Sequence, residues 1–177
     1  MTIIVYSKGQ LAGDRMGVVG VGRSAPLQET VKVFKSECGR FAYGITGDTL
    51  TETERLDLMP LVFRTILVHS VTDGNVDMEL TPEDATALDM VNRSIMVMSH
   101  TRAWRINMRK FIEITNLDGY CSGNGCVMGD VCIKFGLSAE DTVKEVSLLQ
   151  QDCGLGLDVV NASDLIPLFD PEGKGDE

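Results

Sequence analysis

The sequence has no basic run of the length that phosphate recognition requires, which limits what it can bind. Its 26 acidic residues outnumber 16 lysines and arginines, for a formal net charge of −10, whereas recognition of a phosphate backbone needs a basic face. Nucleic acid is therefore not an expected partner, and an acidic surface favours solubility while repelling acidic partners. Long hydrophobic runs are missing too. The most apolar stretch, Leu56 to Val68, is interrupted by Asp57, Pro60 and Arg64, well short of the ~20 apolar residues that span a membrane. The apolar start at Ile3 meets Ser7 and Lys8 at once, too soon for a secretory signal. Histidine is scarce: His69 and His100 are the only two, and neither stands at zinc-ligand spacing from a cysteine pair. The five cysteines, Cys38, Cys121, Cys126, Cys132 and Cys153, form an odd, irregular set. Such a set suits a reducing cytoplasm, with Cys126 and Cys132 read as small buried apolar side chains. Cofactor cradles are absent as well. Ser122-Gly123-Asn124-Gly125 lacks the lysine and hydroxyl residue of a P-loop, and no helix follows Ala12-Gly13-Asp14 or Gly20-Val21-Gly22, as dinucleotide binding requires.

What is present builds one domain. A chain of 177 residues with 44% hydrophobic content can bury a sizeable core. Residues 1–169 read as that domain and 170–177 as a polar tail. The chain opens with strands at Ile3–Tyr6 and Gln10–Gly13 about a Lys8-Gly9 turn, then Met16–Gly22. Val31–Ser36 and Arg40–Ile45 form another pair about Glu37-Cys38-Gly39. Two helices follow. The first spans about Thr49 to His69, with Leu50, Leu58, Leu61, Val62 and Ile66 on one face and a kink at Pro60. The second starts at Thr81-Pro82-Glu83-Asp84 and reaches about Asn92. Strands resume at Ile95–Ser99, Trp104–Met108, Phe111–Thr115 and Tyr120-Cys121. The Ser-Gly-Asn-Gly corner opens a helix to about Phe135, ended by Gly136-Leu137. Ser138 caps another that runs to Gln151, and Leu157–Asn161 closes the sheetwork. Two antiparallel sheets stacked between helix pairs would cover every apolar face. The expected fold is thus α+β, a four-layer αββα sandwich.

Thr2 follows Met1 and leads into Ile3-Ile4-Val5-Tyr6. An aminopeptidase that trims methionine before small residues would leave a threonine with both a hydroxyl and a free α-amine. The reference pKa of such an amine is about 7.7–8.0, so near neutrality it can accept the hydroxyl proton, and nucleophile and base reside in one residue.

The chain resembles the proteasome β-type N-terminal nucleophile hydrolases, most closely the bacterial HslV-type peptidase. The likeness lies in Thr2, Ala12-Gly13-Asp14, Lys32-Val33, Tyr43-Gly44-Ile45-Thr46-Gly47-Asp48, Ser122-Gly123-Asn124-Gly125 and Asp152. Each motif is short, and their order and spacing carry the resemblance. It implies a threonine-type endopeptidase that hydrolyses polypeptides without a cofactor or metal. Thr2 would be the nucleophile, with Asp14 and Lys32 paired beside it and the Gly44 N–H as oxyanion donor. Ser122 and Asp152 would hold the terminal amine. The resemblance also implies a homo-oligomer in a ring or stacked rings and an AAA+ ATPase unfoldase as partner.

The chemistry of these residues agrees with the roles. A lysine ammonium beside the threonine lowers the amine's proton affinity and favours the developing alkoxide. When buried it needs a carboxylate, and Asp14 is the natural candidate. A glycine at 44 lets a substrate backbone approach closely. The first hairpin is shorter than the family's, and loss of equal numbers from both arms preserves the pairing that brings Thr2 to Asp14. Asp152-Cys153-Gly154-Leu155-Gly156 has no serine to complete the polar cluster. If Met1 is retained, the Thr2 nitrogen is an amide and cannot act as base. That case gives the rival reading, a catalytically silent self-assembling scaffold; a third is an amidase acting on a small amide.

Overall fold

The computed structural model describes residues 2–18, 27–47, 53, 60, 78–79, 93–107, 110–115, 117–150 and 153–168. The chain opens with a tight hairpin. In it β1 (Ile3–Ser7) and β2 (Gln10–Asp14) pair with Ser7 opposite Gln10, leaving only Lys8 and Gly9 in the turn. Both take positive φ, 52° and 69°, as a type I′ turn requires.

A four-stranded antiparallel sheet forms in the order β11 (Tyr120–Gly123), β1, β2, β12 (Leu157–Asn161). A larger sheet runs β5 (Val33–Lys35), β6 (Ala42–Gly47), β8 (Arg93–Met98), β9 (Ala103–Asn107), β10 (Lys110–Glu113), β7 (Met78–Glu79). A separate ribbon joins β3 (Met16–Val18) to β4 (Leu27–Glu29).

β1 explains the layering. Ile4 and Tyr6, with Leu11 of β2, meet Val33, Ala42, Met96, Met98 and Ala103 of the large sheet. Ile3 and Val5, with Ala12, face the other way onto Ile133, Ala139, Val143 and Val146. Those four belong to helices α1 (Cys126–Lys134) and α2 (Ala139–Leu149). Side chains alternate along a strand, so one apolar run serves two cores, and a one-residue slip would exchange them.

The helix ends follow from their residues. Gly136 adopts φ 83°, and the N–H groups of Gly136 and Leu137 donate to the carbonyls of Ile133 and Cys132 at 2.8 and 3.2 Å. This is a Schellman ending, which glycine adopts without steric penalty. The Ser138 hydroxyl accepts the Asp141 N–H at 3.1 Å and starts α2.

The described residues thus give three layers: large sheet, small sheet and the α1–α2 pair. On the large sheet's other face Tyr43, Ile45, Ile95, Val97, Trp104 and Ile106 are all buried. Apart from residues 53 and 60, the helices expected at 49–69 and 81–92 lie outside the described residues, as do most of the expected Met16–Gly22 strand and the 170–177 tail. Three expectations need correction. The strand expected from Val31 begins at Val33, and Val31 is exposed. The Ser-Gly-Asn-Gly corner belongs partly to β11, with α1 starting only at Cys126. Cys126 and Cys132 are only partly buried; Cys121 and Cys153 are the buried thiols. Among the described residues no helix is long and apolar enough to cross a membrane.

Candidate active site

The hairpin that opens the chain sets Thr2 beside the end of β2. Asp14 is wholly buried there. Its Oδ1 accepts from the Thr2 hydroxyl at 3.3 Å, the Ile3 N–H at 2.8 Å and the Lys32 ammonium at 2.9 Å. Its Oδ2 accepts from the N–H groups of Met16 and Gly154 at 3.1 and 3.3 Å. Lys32 is 5% exposed and also donates to the Met16 carbonyl. Thr2, Asp14 and Lys32, far apart in sequence, therefore meet in one buried cluster.

Lys32 lies below its ordinary pKa of 10.5 because burial disfavours its charge; Asp14, and more weakly Cys153, pull the other way. A buried charge pair persists only where geometry and further hydrogen bonds offset desolvation. Here Asp14 collects five donors.

The Thr2 backbone is fixed on both sides. The Thr2 carbonyl accepts the Gly125 N–H at 3.4 Å, while Asp14 holds the next N–H along. Gly123 has φ 97°, and a Cβ there would stand 2.1 Å from the Thr2 oxygen. Only glycine allows β11 to pass this close.

The Gly44 N–H turns away from the β5 side of its strand. The Ile45 N–H donates to the Lys32 carbonyl at 3.0 Å, and backbone groups alternate in direction along an antiparallel strand. The Gly44 N–H therefore turns to β8, where Met96 is its partner. A Cβ at 44 would lie 2.5 Å from Ile4 Cγ2, so this glycine lets the two sheets meet. Gly47 ends β6 with φ 95°, and its N–H turns to the same side of the strand as that of Ile45, the β5 side. The sequence offered one sign of this, a glycine where a strand stops.

Ser122 sits on β11 opposite Ile4, and its hydroxyl is 3.0 Å from that of Thr46. Thr46 is buried and had no role in the sequence reading; a hydroxyl among apolar strand residues gives no signal of its partner. Asp152 lies outside the described residues, although the adjoining Gly154 N–H reaches Asp14.

Solved structures share this architecture. HslV from Trypanosoma brucei matches over 90% of this chain and 97% of its own, at 14% identity and a TM-score of 0.58. The fold is the proteasome-like one. Anbu, an ancestral β-subunit from Yersinia bercovieri, covers 97% of the chain and 88% of its own at 18% identity, TM-score 0.52. BPH from Thiobacillus denitrificans, solved with epoxomicin, covers 92% and 98% at 15% identity, TM-score 0.53. No family model and no curated protein matches the sequence. At these identities the likeness is one of fold.

Proposed function

We propose that the chain is a threonine-type peptidase subunit whose nucleophile is the Thr2 hydroxyl, once residue 2 is the amino end. The observation that carries this reading is the buried Asp14–Lys32 pair bonded to that hydroxyl through Asp14. The hydroxyl attacks a peptide carbonyl and gives its proton to the Thr2 amine, which passes it to the leaving amine. Water activated by the same amine then cleaves the ester. Lys32 stabilises the alkoxide, and Ser122 and Asp152 hold the amine. The oxyanion donor is the Gly47 N–H rather than that of Gly44.

A fourth layer, formed by helices at 49–69 and 81–92, would cover the apolar outer face of the large sheet and complete the αββα sandwich. Residues 1–169 then form the domain, and copies assemble in the cytoplasm as rings fed by an AAA+ ATPase. One observation favours the silent scaffold as a second reading. Asp14 also ties down the backbone at Ile3, Met16 and Gly154, work that needs no chemistry.

Intact-mass measurement comes first, and a chain beginning at Thr2 is expected. Peptide hydrolysis that vanishes in Thr2→Ala, with an epoxomicin adduct on Thr2 itself, supports the peptidase. A retained Met1, or a Thr2→Ala variant as active as the parent, sinks it.

A further inference from the structure

The Thr46 and Ser122 hydroxyls bridge the two sheets at 3.0 Å, with Thr46 only 6% exposed. Directly across β8 from Thr46 stands Ser94, whose carbonyl accepts from the Thr46 hydroxyl at 3.4 Å. A hydroxyl has one proton to give, and a carbonyl has none. When the Thr46 proton is given to the Ser94 carbonyl, the bond to Ser122 is made with Ser122's proton. In that arrangement Ser122 is left with acceptor capacity only. Its neighbour Gly123 pairs with Ile3, and a Cβ on Gly123 would collide with the carbonyl and Cγ2 of Thr2, so Ser122 lies beside the start of β1.

We infer that Thr46 is a positioning residue for the Thr2 amine: by taking the Ser122 proton it makes Ser122 an acceptor for an amine N–H. The amine's lone pair then stays free for the hydroxyl proton. This rests on the peptidase reading and extends it to a side chain that touches neither substrate nor nucleophile. Without the hydroxyl at 46, Ser122 is free to rotate and donate to the amine's lone pair. The ammonium loses an acceptor, so the amine's pKa falls, and the neutral amine becomes a poorer base. Among the described residues the charged groups bonded to Thr2 or to its partner are Asp14 and Lys32, with the Cys153 thiol acting on Lys32, and the peptidase reading adds Asp152 at the amine; all remain when residue 46 is changed.

The test compares Thr46→Val, which keeps the shape, with Thr46→Ser, which keeps the hydroxyl. Peptide hydrolysis is followed against pH, and the Thr2 amine is titrated independently by the pH dependence of its acylation, read by mass spectrometry. Thr46→Val is expected to lower kcat roughly tenfold with KM little changed. It should also move the acid limb and the acylation midpoint to lower pH by on the order of half a unit to one unit. Thr46→Ser should restore both. Ser122→Ala should reproduce the downward midpoint shift, which keeps the inference testable if Thr46→Val folds poorly. A wild-type midpoint in either folded Thr46→Val or Ser122→Ala overturns the inference, as does a Thr46→Ser variant that fails to restore it. An inactive Thr2→Ala alongside that result confines the failure to Thr46. An active Thr2→Ala, or a parent with no acylable Thr2 amine, removes the peptidase reading and this inference together.

Discussion

Two ion pairs in this molecule have opposite environments. Arg102 grips Glu113 with two hydrogen bonds, at 2.9 and 2.5 Å, and lies 5.3 Å from the centre of the Trp104 ring. Its side chains are 34% and 17% exposed. Hydrogen bonding to Arg102 lowers the Glu113 pKa, and the same bond raises that of Arg102. Each partner favours the other's charge. Lys32 and Asp14 are 5% and 0% exposed, and there burial outweighs the partner's attraction, so Lys32 holds its proton less tightly than a free lysine. An apolar substitute of similar volume often stabilises a fold as well as a buried ion pair does. The surface pair needs only local geometry to account for it. The buried pair sits where Asp14 bonds to the Thr2 hydroxyl, the place at which the proposed peptidase would use it.

That contrast can be broken at its strongest point first. Lys32→Met leaves the Asp14 carboxylate buried without its cation, which should cost about 3–5 kcal/mol in urea unfolding and abolish peptide hydrolysis. A variant as stable as the parent would mean that Asp14 is held by its backbone donors alone. Next, Gly123→Ala forces an alanine into φ 97° with its Cβ against the Thr2 carbonyl. A loss of about 1–3 kcal/mol is expected, together with reduced activity, because the start of β1 must move. Far smaller is Glu113→Gln, expected to cost below about 1 kcal/mol once solvent screening is counted, with the difference shrinking in high salt. Calorimetry in low and high salt checks it.

The two pairs also predict opposite pH windows. The Glu113 pKa is lowered from 4.5, so its contribution is complete above that value and fades as pH falls through the lowered folded pKa. The Lys32 pKa is lowered from 10.5, so between its folded pKa and 10.5 the unfolded chain binds more protons, and this group's contribution to stability rises with pH. Unfolding free energies across both ranges should lose the acid slope in Glu113→Gln and the alkaline slope in Lys32→Met. If each variant keeps its parent's slope, the assignments are wrong.

Much of the fold could be read along the chain. The Lys8-Gly9 turn, the Leu157–Asn161 strand and the Gly136 helix ending follow from local rules of turn chemistry and capping, which act over a few residues. Asp14 and Lys32 were legible as a pair through the family resemblance, and the need of a buried lysine for a carboxylate agreed with it. Gly44 was misassigned because a glycine in a strand has two uses, close approach by a ligand or by another sheet. Which one applies depends on the direction of its N–H and on Ile4, a residue of the opposite sheet. Thr46 gave no sign at all, since its partner Ser122 is distant in sequence and reaches it only across the sheet interface.

The sequence by itself determined the alternation that gives β1 two apolar faces, the turns that reverse the chain, and the presence of one lysine and one aspartate with reason to meet. Those are properties of neighbouring residues and of side-chain chemistry. Only the tertiary structure decided that the Ser122 and Thr46 hydroxyls meet, that Gly44 spaces two sheets, and that burial outweighs Asp14 in setting the proton affinity of Lys32. Hydrogen-bond direction and desolvation depend on what surrounds a group in space, and chain order does not specify that.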